Sequence, residues 1–244
     1  MLYSDGMQMK SPNVTLFVQC LVDAVWPHVG EAMAAVLERL GLALDCPEDH
    51  TCCGQPAYNS GYTREARAAA RRFVEVFEGA GTIVSPSGSC VNMVRHHYPE
   101  LFREEPAWLE RAQAIAARTF EFTEFLVDVL KVEELGAVRP GRVTYHDSCH
   151  LLRGIGVKEQ PRRLLRRVSG LELVEMKDSD YCCGFGGAFA IKYPEISGAM
   201  VYDKVDKILA AGVDTVVGCD TGCLLNIAGA ASRRGLKLET LHIA

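Results

Sequence analysis

The heptapeptide VTYHDSC at residues 143–149 matches the heptapeptide VTLFVQC at residues 14–20. Both begin with valine and threonine, carry an aromatic residue and end in a cysteine. A short run rich in β-branched and aromatic residues is typical of a buried β-strand. We therefore predict two equivalent strands, each of which leads directly into a cysteine.

The features that follow these strands also occur twice, in the same order. Each strand precedes a helical pattern, a Cys-Cys-Gly triplet, a second helical pattern, another strand and a closing cysteine. In the first half these are residues 31–40, 52–54, 64–78, 82–85 and Cys90, and in the second half residues 160–169, 182–184, 196–211, 215–218 and Cys223. Matched cysteines are offset by between 129 and 133 positions. So constant an offset indicates a duplicated unit of roughly 120 residues.

The predicted fold is an α/β protein of two pseudo-symmetric repeated units with largely parallel strands. Strands that alternate with helical segments favour parallel sheets, because each helix carries the chain back to the start of the next strand. We place the first unit at residues 12–103, a helical connection at residues 104–142 and the second unit at residues 143–244. The connection contains a helix-like run at residues 108–131 and closes with a Gly- and Pro-containing linker.

Composition excludes several classes of protein. With 48% hydrophobic and 23% charged residues, the chain is typical of folded globular proteins. A net charge of -5 argues against nucleic-acid binding, which needs a surplus of Lys and Arg. No apolar run approaches the roughly 18 residues of a membrane span, and no secretory signal pattern opens the chain. We expect a cytoplasmic protein, in which cysteines indicate metal binding or catalysis rather than disulfides. Any membrane association is expected to be peripheral and through partners.

The cysteines form two candidate ligand sets. The second unit contains Cys149, Cys182, Cys183, Cys219 and Cys223, and the first contains Cys20, Cys52, Cys53 and Cys90. Pro86 occupies the position that matches Cys219. Thiolates are soft ligands that suit iron–sulfur clusters or zinc. Adjacent cysteines need an irregular turn to direct both sulfurs at one group, and the glycines at 184, 186 and 187 allow such a turn.

These motifs resemble the CCG (cysteine-rich) domain family. Its pattern is a cysteine, a gap of more than thirty residues, Cys-Cys-Gly, a similar gap and a closing cysteine pair. The tandem form occurs in the cysteine-rich component of heterodisulfide reductase and in the iron–sulfur proteins of lactate utilisation. The segments SPSGSC at 85–90, HDSCH at 146–150 and CCGFGG at 182–187 are most similar to the lactate-utilisation branch. The resemblance extends from Val14 to the last residue.

The resemblance implies a [4Fe-4S] cluster, which in the best-known relatives is a non-cubane form held by five cysteines. Carried over to this chain, that site is Cys149, Cys182, Cys183, Cys219 and Cys223. The four cysteines of the first unit either hold a second cluster, since four thiolates are the usual complement, or are a degenerate remnant. The implied function is electron transfer in a multi-subunit system that oxidises L-lactate to pyruvate. The implied partners are sibling iron–sulfur and lactate-utilisation subunits, since no flavin or nicotinamide fingerprint is visible.

Two alternatives stay open. In one, the centre is itself catalytic and reduces a disulfide, as in the heterodisulfide reductase relatives. In the other, zinc braces an interaction module, with His150 or His50 completing a thiolate site. Whether this chain has enzymatic activity of its own, rather than acting as an oxidoreductase subunit, is left open by the residues.

Three further features carry expectations of their own. Cys46 matches nothing in the second unit and is expected to be a small buried apolar residue. Four arginines form a basic helix face, interpreted as solvated, with docking to an acidic partner as the alternative; they are Arg162, Arg163, Arg166 and Arg167. His146 and Asp147 either tune the metal site or are satisfied polar groups at a strand end.

Overall fold

The first half of the chain folds around a sheet of four parallel strands. Its strands are β1 (Asn13–Leu16), β2 (Ala43–Asp45), β3 (Thr82–Ser85) and β4 (Thr119–Glu121). Their order in the sheet is β2-β1-β3-β4. The computed structural model describes residues 13–244, and the opening residues, on which the expectation of no secretory signal depends, lie outside that range.

In the described part of this half, which begins at residue 13, eight helices connect or follow these strands. They are α1 (Cys20–Val25), α2 (Pro27–Arg39), α3 (Gln55–Asn59), α4 (Thr63–Phe77), α5 (Gly88–Asn92), α6 (Tyr98–Leu101), α7 (Pro106–Ala116) and α8 (Phe122–Glu124). π-Helical turns at Met93–His97 and Phe125–Val129 extend α5 and α8. The long helix α4 buries Ala66, Ala70 and Phe77 on one face, which is the spacing of an amphipathic helix.

The second half repeats this architecture. Its strands are β5 (Val138–Tyr145), β6 (Ser169–Leu173), β7 (Thr215–Gly218) and β8 (Glu239–His242). They are again all parallel, in the order β6-β5-β7-β8. Its helices are α9 (Glu159–Leu165), α10 (Phe189–Lys192), α11 (Pro194–Ala210) and α12 (Thr221–Arg233), with a π-helical turn at His150–Gly154. The prediction of an α/β fold with two repeated parallel units is confirmed.

The stretch at residues 104–142 differs from the predicted helical connection. Strand β4 interrupts the helix-like run at 108–131 and completes the first sheet by pairing with β3. β8 is the equivalent fourth strand of the second sheet. A strand of three residues leaves no periodic pattern in the sequence, because its burial comes from the neighbouring strand and from the helices that cover it.

The two halves share part of their hydrophobic core. Leu164 of α9 packs in one cluster with Val14 and Phe122 of the first half. The halves also approach closely at Gly88, where a Cβ atom would lie 2.9 Å from the Cα atom of Leu151. Within residues 13–244, no helix has both the length and the apolar composition needed to span a bilayer.

Candidate metal centre

Eight cysteines line one cavity of about 460 Å³ between the two halves. The first half contributes Cys20, Cys52, Cys53 and Cys90, which we call the first thiol cluster. The second half contributes Cys149, Cys182, Cys183 and Cys223, the second thiol cluster. All ten cysteines of the chain are free thiols. Loops that follow the carboxyl ends of parallel strands meet at one sheet edge, and here the edges of both sheets contribute to the same cavity.

The four cavity-lining cysteines outside the Cys-Cys-Gly triplets lie at helix starts. Cys20 is the first residue of α1, directly after β1, and Cys149 immediately precedes the π-helical turn after β5. Cys90 and Cys223 are the third residues of α5 and α12, directly after β3 and β7. The free backbone N–H groups of a helix start carry partial positive charge, which stabilises a thiolate placed there.

The two Cys-Cys-Gly triplets make the same irregular turn. Gly54 and Gly184 have φ angles of 83° and 78°, in the left-handed region that favours glycine. A Cβ atom at Gly184 would also lie 2.7 Å from the carbonyl oxygen of Ser197. The Gly184 amide donates a hydrogen bond to the Cys182 sulfur over 3.4 Å. The turn therefore requires glycine and directs two consecutive sulfurs into the cavity.

The thiols of the first cluster polarise one another. The Cys53 and Cys90 sulfurs are 3.3 Å apart. The hydrogen bond between Cys20 and Cys52 lowers the pKa of Cys52 and raises the pKa of Cys20. Hydrogen bonds to Cys52 and Cys90, together with burial, raise the pKa of Cys53. Among these thiols, Cys52 is therefore the one whose deprotonation the cluster favours.

The second cluster repeats this pattern. Its contact with Cys149 lowers the pKa of Cys182 and raises the pKa of Cys149. The Cys183 thiol, and after it the nearby His146 ring, lower the pKa of Cys223 to about 6. Among residues 13–244, no lysine or arginine lines the cavity. The lining therefore provides no cationic side chain that would stabilise a second thiolate in either cluster. Four sulfurs without a cationic side chain fit a metal centre, whose positive charge stabilises deprotonated thiols.

Cys219, predicted as a fifth ligand, lies outside the lining of this cavity. Its side chain is completely buried, and its sulfur is 3.2 Å from the Tyr145 hydroxyl. Burial, followed by the nearby Glu121 carboxyl, raises the pKa of the Cys219 thiol. Each half therefore lines the cavity with cysteines at the same four positions. The fifth position, which is Pro86 in the first half and Cys219 in the second, does not line it.

The histidines named as zinc ligands differ in placement. His150 lines the cavity, with Nδ1 3.5 Å from the Gln55 amide nitrogen. His50 instead has its Nδ1 atom on the Pro47 carbonyl oxygen. His146, which the sequence left undecided, is completely buried beside the second cluster. A ring nitrogen of His146 and the sulfurs of Cys183 and Cys223 all lie within 4.8 Å of one another.

Two expectations about single residues were wrong. Cys46 is exposed rather than buried, because it lies in the loop after β2, which is an edge strand. Arg162 is not on a solvated face, since its side chain is only 5% exposed. It donates two hydrogen bonds to Asp147, of 2.8 and 2.7 Å, and two to Glu175, of 2.7 and 3.1 Å. Asp147 therefore anchors α9 to the end of β5. The other three arginines of that face, Arg163, Arg166 and Arg167, are exposed.

Comparison with known proteins relates both cysteine clusters to one family. The model of the cysteine-rich (CCG) domain matches residues 14–95 and 143–228, and each match contains one complete thiol cluster. Lactate utilization protein A 2 of Bacillus mycoides (strain KBAB4) is 51% identical over 95% of this chain and 97% of its own length. Lactate utilization protein A of Bacillus cereus (strain B4264) is 50% identical over the same shares.

A solved structure shares the fold at much lower sequence identity. The crystal structure of a hypothetical protein from Helicobacter pylori aligns with a TM-score of 0.66 and 10% identity. The alignment covers 96% of this chain and 48% of that chain. At this level of identity, the similarity concerns the fold alone.

Proposed function

This chain belongs to the cysteine-rich CCG domain family, and we propose that it is an iron–sulfur electron carrier in lactate utilization. The relatives named above are lactate utilization proteins. Their sequences are about 50% identical to this chain over almost its whole length. The observation that carries the electron-transfer part is the presence of two equivalent four-cysteine clusters on one cavity.

We assign one [4Fe-4S] cluster to each thiol cluster. When bound, such a cluster supplies reversible one-electron chemistry. The chain provides four thiolates in each half, an amide donor at Gly184 and the helix starts at Cys90 and Cys223. Donors of this kind stabilise negative charge on the sulfurs and so influence the reduction potential. The apolar side chains of Phe185 and Ile191 also line the cavity.

The proposed setting is a multi-subunit system that oxidises L-lactate to pyruvate. That oxidation removes two electrons, whereas an iron–sulfur centre accepts them singly. Sibling subunits would therefore bind the lactate and carry out the two-electron step, and this chain would pass electrons onward.

Metal analysis of protein purified without oxygen tests the electron-transfer part. We expect about eight irons with matching sulfide per chain, and about four if only one cluster assembles. C53S and C183S should each lose about half of the iron and one component of the reduced EPR spectrum. C46S is the matched control, because Cys46 is exposed and lies outside the cavity lining. Stoichiometric zinc without iron would contradict electron transfer and support a zinc-braced interaction module.

Growth of a deletion strain tests the lactate part separately. Loss of the gene should abolish growth on L-lactate as the sole carbon source and leave growth on pyruvate unchanged. Restoration by the wild-type gene, but not by a gene carrying C53S and C183S together, would connect the growth defect to the thiol clusters. Normal growth on L-lactate, with no duplicate gene present, would contradict this role.

Disulfide reduction at the same centre is a second candidate. It is favoured by one observation, namely that both clusters line a common cavity with His150 rather than lying in separate cores. A thiol substrate that binds at such a site should shift the EPR spectrum during titration. A spectrum that stays unchanged up to millimolar thiol would contradict disulfide reduction and leave electron transfer as the proposed function.

A further inference from the structure

The two thiol clusters differ in one buried neighbour. His146 and Phe17 each lie three residues before the first cysteine of their cluster. Their backbones are equivalent, since the Phe17 amide donates to the Val84 carbonyl and the His146 amide to the Val217 carbonyl, both over 2.9 Å. Phe17 packs edge-on against Phe73 with ring centroids 4.8 Å apart. The second half therefore places an imidazole where the first half has a hydrocarbon ring.

The His146 imidazole lies in an environment that leaves it without a partner. The residue is 0% exposed, and neither ring nitrogen has a hydrogen-bond partner within the described residues 13–244. A buried polar group without a hydrogen bond costs folding free energy, so such a group in a native protein needs an explanation. The Cys183 and Cys223 sulfurs lie within 4.8 Å of one ring nitrogen of His146 and of each other.

Those sulfurs become hydrogen-bond acceptors once they are thiolates. A neutral imidazole always carries one N–H donor, and a metal-bound thiolate is a negatively charged acceptor. Binding of a metal centre by the second thiol cluster would therefore provide the His146 ring with a nearby acceptor. The first thiol cluster has no equivalent donor, because the Phe17 ring offers none.

We propose that His146 donates an N–H to the Cys223 sulfur of the loaded second centre, and thereby gives that centre a higher reduction potential than the first. This inference rests on the proposed function. A hydrogen bond to a ligating sulfur withdraws electron density and stabilises the reduced, more negative form of a cluster. In a molecule that holds one added electron, the electron then resides on the second centre. His146 is a positioning and tuning residue, not a ligand.

An EPR-monitored redox titration of the full-length, anaerobically purified protein tests this inference. C53S removes the first centre and isolates the signal of the second, and C183S does the reverse. H146F copies the residue of the first half. We expect it to lower the reduction equilibrium constant of the second centre about tenfold or more, the effect of losing one hydrogen bond to a charged acceptor. The first centre should be unchanged, and H146Q, which keeps an N–H donor, should remain nearer to wild type.

The reciprocal variant keeps the test decisive if H146F does not fold. F17H brings a donor to the first half and should raise the reduction equilibrium constant of the first centre. Unchanged potentials in both H146F and F17H, with iron retained, would overturn this inference while leaving the proposed function intact. Loss of second-centre iron in H146F, with the fold retained, would also overturn it, because His146 would then be a ligand. Absence of iron and sulfide from the wild-type protein would instead overturn the proposed function, and this inference with it.

Discussion

At position 219 the second half has a cysteine where the first half has Pro86, and this substitution does not alter the set of cavity-lining cysteines. The Cys219 thiol contacts the Tyr145 hydroxyl instead of the cavity. We therefore expect C219S to keep the iron of the second centre, whereas C223S should lose it. Iron analysis and the reduced EPR spectrum of both variants check this. Loss of second-centre iron from a folded C219S variant would establish Cys219 as a fifth ligand.

Glu121, at the end of β4, makes the stability of the protein depend on pH. Its Oε2 atom accepts a hydrogen bond of 2.7 Å from the Thr123 amide, but within residues 13–244 its Oε1 atom has no partner. Burial raises the pKa of this carboxyl from 4.5 to about 7. The folded state thus binds the proton more tightly than the unfolded state, so stability falls as pH rises from 4.5 to about 7.

The E121Q variant should remove this dependence, because its side chain is neutral at every pH. We expect E121Q to be more stable than wild type at pH 8, by at most about 3 kcal/mol, and comparable to it near pH 4. Urea unfolding at several pH values measures the difference. If the difference in free energy of unfolding between E121Q and wild type does not grow with rising pH, Glu121 is not the group that causes the pH dependence.

At the scale of elements, α9 is attached to the second sheet through one buried ion pair. The side chains of Arg162 and Asp147 are 5% and 2% exposed and form a bidentate pair. We expect R162A to lower the free energy of unfolding by about 3–5 kcal/mol, because it leaves the Asp147 carboxylate buried without its partner. The control is R163A on the same helix. Arg163 pairs with Glu133 but is 45% exposed, so its loss should cost about 1 kcal/mol or less. Equal effects of the two variants in urea unfolding would contradict the anchoring role of Arg162.

The central strands and the long helices were predictable, whereas the outer strands were not. The predicted strands at 82–85 and 215–218 coincide with β3 and β7, since each is a short apolar run bounded by turn residues. The predicted helices at 64–78 and 196–211 lie within one or two residues of α4 and α11. Strands β4 and β8 were missed, because their only evidence is pairing with β3 and β7, which is a tertiary contact.

On the scale of the whole molecule, Asp220 connects the two halves next to both thiol clusters. Its Oδ1 atom accepts hydrogen bonds from the Ser87 hydroxyl, over 2.8 Å, and from the Ser89 amide, over 3.1 Å. Asp220 is only 4% exposed. We expect D220A to lower the free energy of unfolding by about 1.5–3 kcal/mol, the usual contribution of hydrogen bonds to a charged group.

Surface residue Asp203 provides the control for this variant. Its side chain is 55% exposed and pairs with Lys207 on the same helix, so D203A should cost about 1 kcal/mol or less. D220A should also weaken iron retention in both centres, since Ser89 and Asp220 precede Cys90 and Cys223 closely in sequence. Urea unfolding and iron analysis check both effects. A D220A protein as stable as D203A, with full iron, would show that the halves do not depend on this contact.

His242 strengthens the same interface through a different pair of groups. Its Nε2 atom donates to the Pro86 carbonyl over 3.0 Å and to the Cys219 carbonyl over 3.1 Å. Burial lowers the pKa of His242, which keeps the ring neutral and the Nε2–H donor in place. Glu121 holds the equivalent end position in β4. The two halves therefore share a backbone arrangement and differ in the polar side chains at equivalent positions.

Local chemistry was sufficient to predict the duplication and the parallel α/β units, and eight of the nine cysteines singled out as candidate ligands line the cavity. Cysteines and Cys-Cys-Gly turns are distinct residues at nearly constant offsets, and strand patterns depend on near neighbours, so both are visible in the order of residues. The common cavity, the exclusion of Cys219 from it, the burial of Arg162 and the unpartnered ring of His146 were decided by packing. Each depends on how two sheets approach and on which way a side chain turns at a strand end, and contacts between distant segments settle both.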